Sequence, residues 1–302
     1  MSSASIRDVR DAVDLNAQYT FDRATLGVDV GRSSENDYTS DFFNLDGRLD
    51  LNQKLTTLAT GFSYASDQVW AISHGDQRQS LRVESVGGDK STYQGLLGLT
   101  QVLSRNALMQ ANLTYTHGSG YLSDPYKFVE TLFMPFVVTD GYAGFIRDNR
   151  PGNRDQFAVL LRYIHNVGPL NEAAVHLDYR YYADTWGIHS QTFEVAWYQP
   201  VYAGWQLVPR VRYYTQTGAD FYQLYFDEAR ADGYYSSDYR MANFGAVSGG
   251  AALSKTFVDK LKLAASIDFY DRQKSYGMYP GKGSSIDDFS YSVFSVSAQL
   301  RF

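Results

Sequence analysis

The feature that most constrains this sequence is an alternation of apolar and polar residues that recurs along its whole length. In residues 173–181, apolar or aromatic side chains occupy the odd positions, while His176, Asp178 and Arg180 occupy even positions. Residues 290–302 repeat the pattern at the end of the chain. A period of two is that of a β-strand with one apolar face and one polar face. The recurrence therefore predicts an all-β protein.

About thirteen alternating segments follow one another, joined by short turns and by longer connections. The short turns are predicted near residues 22, 53, 105, 168, 201 and 258, and the long connections at 66–91, 117–154 and 218–237. Barrels of the bacterial outer membrane have short periplasmic turns and long extracellular loops. Aromatic residues near the strand ends suit the two membrane interfaces, and they are Tyr115, Tyr163, Trp197, Trp205 and Tyr213.

We therefore expect residues 1–302 to form a single antiparallel transmembrane β-barrel domain in the bacterial outer membrane, surrounded by outer-membrane lipid. The mean hydropathy of -0.35 agrees with this expectation, because each barrel strand exposes only half of its residues to lipid. A soluble solenoid or sandwich is the alternative. A soluble protein of this length would rarely sustain one-sided alternation through a dozen strands.

The net charge and the cysteine content exclude several functions. The formal net charge is -6, which argues against a nucleic-acid partner because such a partner requires a basic face. The chain has no cysteine, so disulfides, thiolate metal sites and cysteine nucleophiles are excluded within it. No apolar run approaches the roughly 18 residues of a transmembrane helix.

The last strand carries information about assembly and polarity. Its apolar positions include Phe294, Leu300 and Phe302, and a terminal strand that ends on phenylalanine resembles the assembly signal of outer-membrane barrels. That resemblance implies the barrel-assembly machinery as a partner. If this strand runs towards the periplasm, counting back thirteen strands places the start of the first strand outside, whereas bacterial barrels have even strand numbers and periplasmic termini. We therefore expect N-terminal strands and a signal peptide to be missing from a barrel of roughly 16 strands.

Charged residues on three neighbouring strands are predicted to face the barrel interior. They are His176, Asp178, Arg180, Glu194, Arg210 and Arg212. Charges in an interior need water or partners, since an unpaired buried charge is very costly. The cluster is either a structural ladder of ion pairs or a selectivity element that tunes which solute passes.

The irregular segments support three further expectations. The connection 117–154 is long enough to have a function, and it either packs outside, folds into the lumen or binds a partner. Residues 184–187 and the tyrosine-rich run 233–240 are expected to pack together at the rim. The glycine-rich strand 239–255 shifts its phase near residues 244–247, which predicts a β-bulge.

Motifs for catalysis and metal binding are absent from the sequence. There is no Gly-x-Ser-x-Gly elbow and no His-Glu-x-x-His motif. The five histidines are scattered, although His117 and His189 could approach an acid such as Asp184 at the rim. We expect no catalytic residue, no metal and no cofactor.

Several segments resemble one family of uncharacterised proteobacterial outer-membrane β-barrel proteins, a conserved domain of unknown function of the DUF3570 type. The segments are 24–28 (ATLGV), 95–104 (GLLGLTQVLS), 119–127 (SGYLSDPYK), 178–190 (DYRYYADTWGIHS), 209–216 (PRVRYYTQ), 219–222 (ADFY) and 235–240 (YSSDYR). The resemblance implies a barrel with a longer amino end and no established activity. Its gene neighbourhoods imply an extracytoplasmic redox or maturation system.

Three functions follow from these observations. The first is a porin-like channel or transport conduit of unknown substrate. The second is a non-conducting scaffold barrel that holds a lipoprotein or a periplasmic redox or maturation partner. The third is a hydrolase with its site at the rim.

Overall fold

The computed structural model describes residues 9–74, 80–133, 144–257, 260–279 and 286–300. Within these ranges the chain forms sixteen β-strands and five single-turn 3-10 helices. The strands are β1 (Asp11–Thr20), β2 (Ala24–Ser34), β3 (Tyr38–Leu51), β4 (Thr56–His74), β5 (Ser80–Ser104), β6 (Ala107–Gly120), β7 (Phe128–Thr131), β8 (Gly144–Arg147), β9 (Asn153–Val167), β10 (Ala173–Asp184), β11 (His189–Pro200), β12 (Trp205–Gln216), β13 (Tyr225–Phe226), β14 (Phe244–Phe257), β15 (Leu261–Gln273) and β16 (Phe289–Leu300).

Thirteen of these strands form one antiparallel sheet, as the alternation predicted. Its order is β1-β2-β3-β4-β5-β6-β9-β10-β11-β12-β14-β15-β16, so every strand pairs with its neighbour along the chain once β7, β8 and β13 are passed over. This is the meander of an up-and-down barrel. In the described part of the chain, no helix is long and apolar enough to cross a membrane.

The two faces of the sheet differ in the way the alternation predicted. Large apolar side chains stand exposed on the outward face, including Leu97 at 61% exposure and Val211 at 59%. A sheet face of exposed leucine, valine and phenylalanine requires a lipid surface or a partner. The opposite face, called here the lumen face, carries the intervening polar and charged residues.

The aromatic residues expected at the interfaces lie near the strand ends. Tyr163, Trp197 and Trp205 lie towards the end of the sheet with the short turns, and Tyr115 and Tyr213 lie towards the other end. Their rings therefore mark two levels on the sheet, as interfacial belts do.

Five of the six predicted short turns are confirmed, at 21–23, 52–55, 105–106, 168–172 and 201–204. The sixth, near residue 258, lies partly outside the described residues. At the opposite end, long loops were expected throughout, but β2–β3 and β10–β11 are joined by the short connections 35–37 and 185–188. Two long connections at that end leave the sheet, and their described parts are 121–133 with 144–152 and 217–243.

Two local expectations are wrong. The polar loop expected at 66–91 is mostly strand, because β4 and β5 extend through it, with a register shift between Trp70 and Ala71 that breaks the alternation. The bulge expected near 244–247 is absent, since β14 pairs with β12 and β15 in unbroken register. Gly245 instead lets the backbone of Tyr276 approach, because a Cβ there would lie 2.2 Å from the Tyr276 carbonyl carbon.

The core of the protein lies at the long-loop end rather than between sheets. Residues 121–133, 144–152 and 217–243 form a compact unit, called here the cap, that contains a three-stranded sheet in the order β13-β7-β8. One apolar cluster joins the cap to the rim, and its buried members are Trp186, Ile188, Ala219, Phe221, Tyr222, Met241, Ala242 and Ile286. Tyr234 packs against this cluster, so the segments 184–187 and 233–240 contribute to one apolar cluster, in line with the expectation that they pack together.

Candidate functional site: the lumen face and the cap

The predicted lumen charges lie in register across neighbouring strands. Arg162 of β9 is directly opposite Asp178, Asp178 is opposite Glu194, and Glu194 is opposite Arg212. Directly opposed residues on an antiparallel pair share a face. The four side chains therefore form one row across β9 to β12 on the lumen face.

Asp178 is paired with Arg162, a residue that the sequence reasoning left out of the cluster. The guanidinium of Arg162 donates two hydrogen bonds, from Nε to Oδ1 at 2.8 Å and from Nη2 to Oδ2 at 2.6 Å. This bidentate geometry is the strongest form of the arginine–carboxylate pair. Asp178 is therefore part of a structural pair in the wall.

Arg210 is paired with Asp268 across an intervening strand. Arg210 Nη2 lies 2.8 Å from Asp268 Oδ1, and Nε donates to the same oxygen at 3.0 Å. Gly250 of β14 lies between the two residues in the register. A Cβ at this glycine would lie 2.3 Å from Asp268 Oδ1. Because Gly250 has no side chain, Arg210 and Asp268 can form their ion pair across β14.

The other members of the predicted cluster are not ion-paired. His176 lies against Tyr198, with ring centroids 4.3 Å apart. Among the residues that the structure describes, Arg180, Glu194 and Arg212 form no ion pair within 4.0 Å. The cluster thus divides into two structural pairs and a set of lumen charges without such partners.

A cavity of about 720 Å³ lies on the lumen face between β11–β16 and the cap. Its charged lining consists of Glu194, Arg210, Arg212, Arg240, Asp268 and Arg272. Its aromatic lining includes Tyr214, Tyr239, Tyr270 and Tyr291. The rings of Tyr270 and Tyr291 are stacked with centroids 5.0 Å apart. The cavity combines positive charge with flat apolar surface.

The cap is built around a buried carboxylate. Asp238 is fully buried, and three cations contact it: Lys127 Nζ at 3.1 Å, Arg150 Nη2 at 3.0 Å and Arg240 Nη2 at 2.5 Å. Burial raises the pKa of Asp238, but hydrogen bonds from the Arg240 side chain and backbone N–H outweigh burial and hold that pKa well below its usual range. Asp238 is thus held ionised and joins all three segments of the cap.

A second buried carboxylate joins the same three segments. Asp148 is contacted by Arg150 Nε at 2.6 Å and accepts a hydrogen bond from the Ser236 hydroxyl at 2.5 Å. The backbone N–H of Asp124 donates to it at 2.9 Å. Segments 121–133, 144–152 and 217–243 are therefore connected through buried polar contacts.

The cap is attached to the lumen face of the wall. Gln216 of β12 donates from Nε2 to the carbonyl oxygens of Arg240 and Ala242, at 3.0 and 2.6 Å. On the opposite side, Tyr126 donates from its hydroxyl to Asp37 at 2.6 Å. The described parts of the connection 117–154, which are 117–133 and 144–154, therefore lie over the lumen face.

The histidines do not form a catalytic constellation with Asp184. His117 Nδ1 lies 2.7 Å from Asp155 Oδ1, and Tyr115 donates to the same oxygen at 2.7 Å. His189 contacts the Tyr181 hydroxyl, and Asp184 pairs with Arg154. Among the described residues, no three His, Asp or Glu side chains are placed to hold a metal ion.

The residues of the expected assembly signal lie on β16 where they are described. Phe294 is 72% exposed and Leu300 is 56% exposed. Phe294 lies opposite Ile267 in the register, on the outward apolar face. Phe302 lies outside the described residues.

The predicted lumen cluster leaves out four charged residues of the cavity lining or the wall. Three of them obey the alternation, and the fourth does not. Arg162, Asp268 and Arg272 lie at lumen positions of alternating strands, so extending the same face to β9 and β15 would have found them. Arg240 lies in the cap, and no local pattern indicates that it reaches the lumen.

A large antiparallel meander with an exposed apolar face, a charged lumen face and an inward cap defines an outer-membrane β-barrel protein. Solved barrels share this fold. The ferric enterobactin receptor PfeA of Pseudomonas aeruginosa has 9% identity and a TM-score of 0.58, covering 88% of this chain and 43% of that one. The siderophore receptor PiuA of Acinetobacter baumannii has 9% identity and a TM-score of 0.54, covering 98% of this chain and 54% of that one.

The chain belongs to the family DUF3570, described as proteins of unknown function, whose sequence profile matches residues 2–293. The family model confirms the resemblance found in the sequence, and the solved structures confirm the fold, an antiparallel barrel of the outer-membrane type. The siderophore receptor PirA of Acinetobacter baumannii also resembles it, with 10% identity and a TM-score of 0.54, covering 99% of this chain and 50% of that one. The chain spans about half the length of these structures. No curated protein matches the sequence.

Proposed function

We propose that the protein is a channel or transport conduit of the outer membrane, in which solutes pass along the lumen face. The observation that carries the proposal is the charged lumen surface, where Arg212 and Arg180 lack ion-pair partners among the described residues. Charges that line a pore tune which ions pass. The barrel fold and the similar receptors support a transport role in general terms.

Conductance of the protein in a planar lipid bilayer tests this proposal. Discrete openings are expected, with a reversal potential that shifts towards cation selectivity in Arg212→Ala, because a positive charge leaves the lumen. Arg32→Ala is the control, since Arg32 lies on the outward face of β2 with an exposed side chain. Absence of openings in every variant, or equal selectivity in Arg212→Ala and the parent, would contradict the proposal.

The alternative is a scaffold barrel that holds a lipoprotein or periplasmic partner and does not conduct. The cap favours this alternative, because buried ion pairs hold the cap together and Gln216 of β12 attaches it to the wall. The variant Asp238→Ala distinguishes the two functions. A silent parent and a conducting variant indicate a channel that the cap closes, whereas silence of both favours the scaffold.

Two further partners are proposed, which are outer-membrane lipid and the barrel-assembly machinery. Outer-membrane lipid would cover the apolar outward face, and the barrel-assembly machinery would recognise the last strand through Phe294 and Leu300. Both apolar side chains are exposed, as recognition from outside requires.

A further inference from the structure

The cavity between β11–β16 and the cap has a composition that suits one class of solute. We propose that it binds an organic anion, in which a carboxylate or phosphate group is attached to a flat apolar body. This inference rests on the proposed function, because it names the class of solute that would enter the lumen.

The charge of the cavity favours an anion. Four arginines line it, and the acids among its lining residues are Glu194 and Asp268. Asp268 is already engaged by Arg210, and Arg240 is paired with Asp238, which lies outside the cavity lining. Arg212 is left without an ion-pair partner among the described residues, and guanidinium groups bind carboxylates and phosphates through two parallel hydrogen bonds.

Arg272 provides an independent observation. Its Nη2 donates to the backbone carbonyl of Asp287 at 3.1 Å, whereas its buried Nε has no acceptor among the described residues. In the described part of the chain, no acidic side chain lies within 4.0 Å of this guanidinium. Its charge is therefore available to an oxyanion in the cavity that it lines.

Aromatic rings hold Arg272 in position. Its guanidinium carbon lies over three rings, at 5.8 Å from the centroid of Tyr239, 5.6 Å from Phe244 and 5.3 Å from Phe289. These cation–π contacts orient the group without neutralising its charge. The cation is therefore preorganised, and it keeps its capacity to bind an anion.

The aromatic lining favours an apolar body on the anion. Tyr270 and Tyr291 form a stacked pair on the wall, and Tyr214, Tyr239 and Val293 extend the same surface. Tyrosine presents a large apolar face and a polar tip. A small inorganic anion would leave these faces uncovered, so a molecule with a ring fits the cavity better.

Isothermal titration calorimetry on the protein purified from outer membranes in detergent tests the inference. The probes are benzoate, phenyl phosphate, inorganic phosphate and benzyl alcohol. Benzoate or phenyl phosphate is expected to bind at least roughly tenfold more tightly than inorganic phosphate and benzyl alcohol, because both the charge and the ring contribute. The two anions distinguish a carboxylate ligand from a phosphate ligand.

Three variants locate the binding. Arg212→Gln and Arg272→Gln are each expected to weaken the tighter probe about tenfold, as expected for the loss of a charge-assisted hydrogen bond. Tyr270→Leu is expected to weaken the aromatic anions roughly threefold to tenfold and to leave inorganic phosphate unchanged. Arg48→Gln is the matched control, because Arg48 lies on β3 outside the cavity lining.

Several results would overturn the inference. They are failure of both aromatic anions to bind, equal affinity for benzyl alcohol, equal affinity for inorganic phosphate, or equal weakening by Arg48→Gln. Circular dichroism of each variant verifies that its sheet is intact, and Arg212→Gln keeps the test decisive if Arg272→Gln does not fold. Binding without conductance contradicts the channel and retains the cavity, whereas conductance without binding contradicts the cavity alone.

Discussion

The wall and the cap of this barrel are held together by different physical interactions. In the wall, each strand pairs with its neighbour along the chain, and side chains alternate between lipid and lumen. In the cap, residues far apart in sequence surround buried carboxylates, as when Arg150 contacts Asp238. A pattern of period two describes most of the first arrangement and contains no information about the second.

The wall and the cap should also differ in how much stability they lose when one residue is replaced. A wall strand gains from many similar backbone hydrogen bonds, so one substitution changes a small share of them. The cap depends on a few buried charges, and removal of one partner leaves the others uncompensated in a medium of low polarity. We therefore expect the largest single-residue effects in the cap.

The largest effect is expected for Asp238→Ala. Lys127, Arg150 and Arg240 would remain together without their shared carboxylate, which costs about 3–5 kcal/mol. Hydrogen exchange measured by mass spectrometry should show loss of protection in 217–243 and not in β9–β11. Asp232→Ala is the control, because that carboxylate is partly exposed and pairs with Arg230 at the surface. Equal loss of protection in the wall would show that the cap and the wall unfold together.

A somewhat smaller effect is expected for Leu177→Arg, which breaks the alternation of the wall. Leu177 lies near the middle of β10 on the outward face, with 41% of its side chain exposed. An arginine facing lipid near the midplane costs about 2–4 kcal/mol. Urea unfolding in lipid vesicles measures the loss. Thr100→Arg on the lumen face of β5 should cost much less, and an equal cost would contradict the assignment of the two faces.

A smaller loss is expected for Gly250→Ala, which tests whether the wall contains its own long-range contact. The added Cβ would lie 2.2 Å from the Ile267 carbonyl oxygen and 2.3 Å from Asp268 Oδ1. Overpacking of this kind costs about 1–3 kcal/mol, measured by the same unfolding experiment. A Cβ at Gly95 has no heavy atom within 4 Å, so Gly95→Ala should be nearly neutral. Similar values for both variants would show that the Arg210–Asp268 pair does not need this glycine.

The smallest effect concerns pH. The pKa of Asp238 is lowered in the folded protein. Its ion pairs therefore stabilise the cap at every pH above the usual carboxyl pKa of about 4. This stabilisation is lost only as the pH falls below that value. Limited proteolysis should therefore cut the cap equally at pH 5 and pH 8 and faster near pH 3. Faster cleavage at pH 5 in the parent would indicate a different titrating group.

The outward face and the lumen row could be predicted because register carries a local pattern across strands. Once Asp178 is assigned to the lumen, alternation and pairing place Glu194 and Arg212 on the same face. The partner of Asp178 could also have been found, because Arg162 obeys the same rule. The distances between these charged groups could not be predicted, because a long side chain can reach several neighbours of opposite charge.

The sequence by itself determined the fold class, the order of the strands and the two faces of the sheet, because these depend on residues two positions apart and on neighbouring strands. Only the tertiary structure decided that 121–133, 144–152 and 217–243 fold together over the lumen, and that Arg240 joins the cavity lining. Those contacts join residues roughly ninety positions apart, such as Arg150 and Asp238. Such contacts form only when folding brings distant residues together and buries them. A local periodicity of the sequence therefore does not predict them.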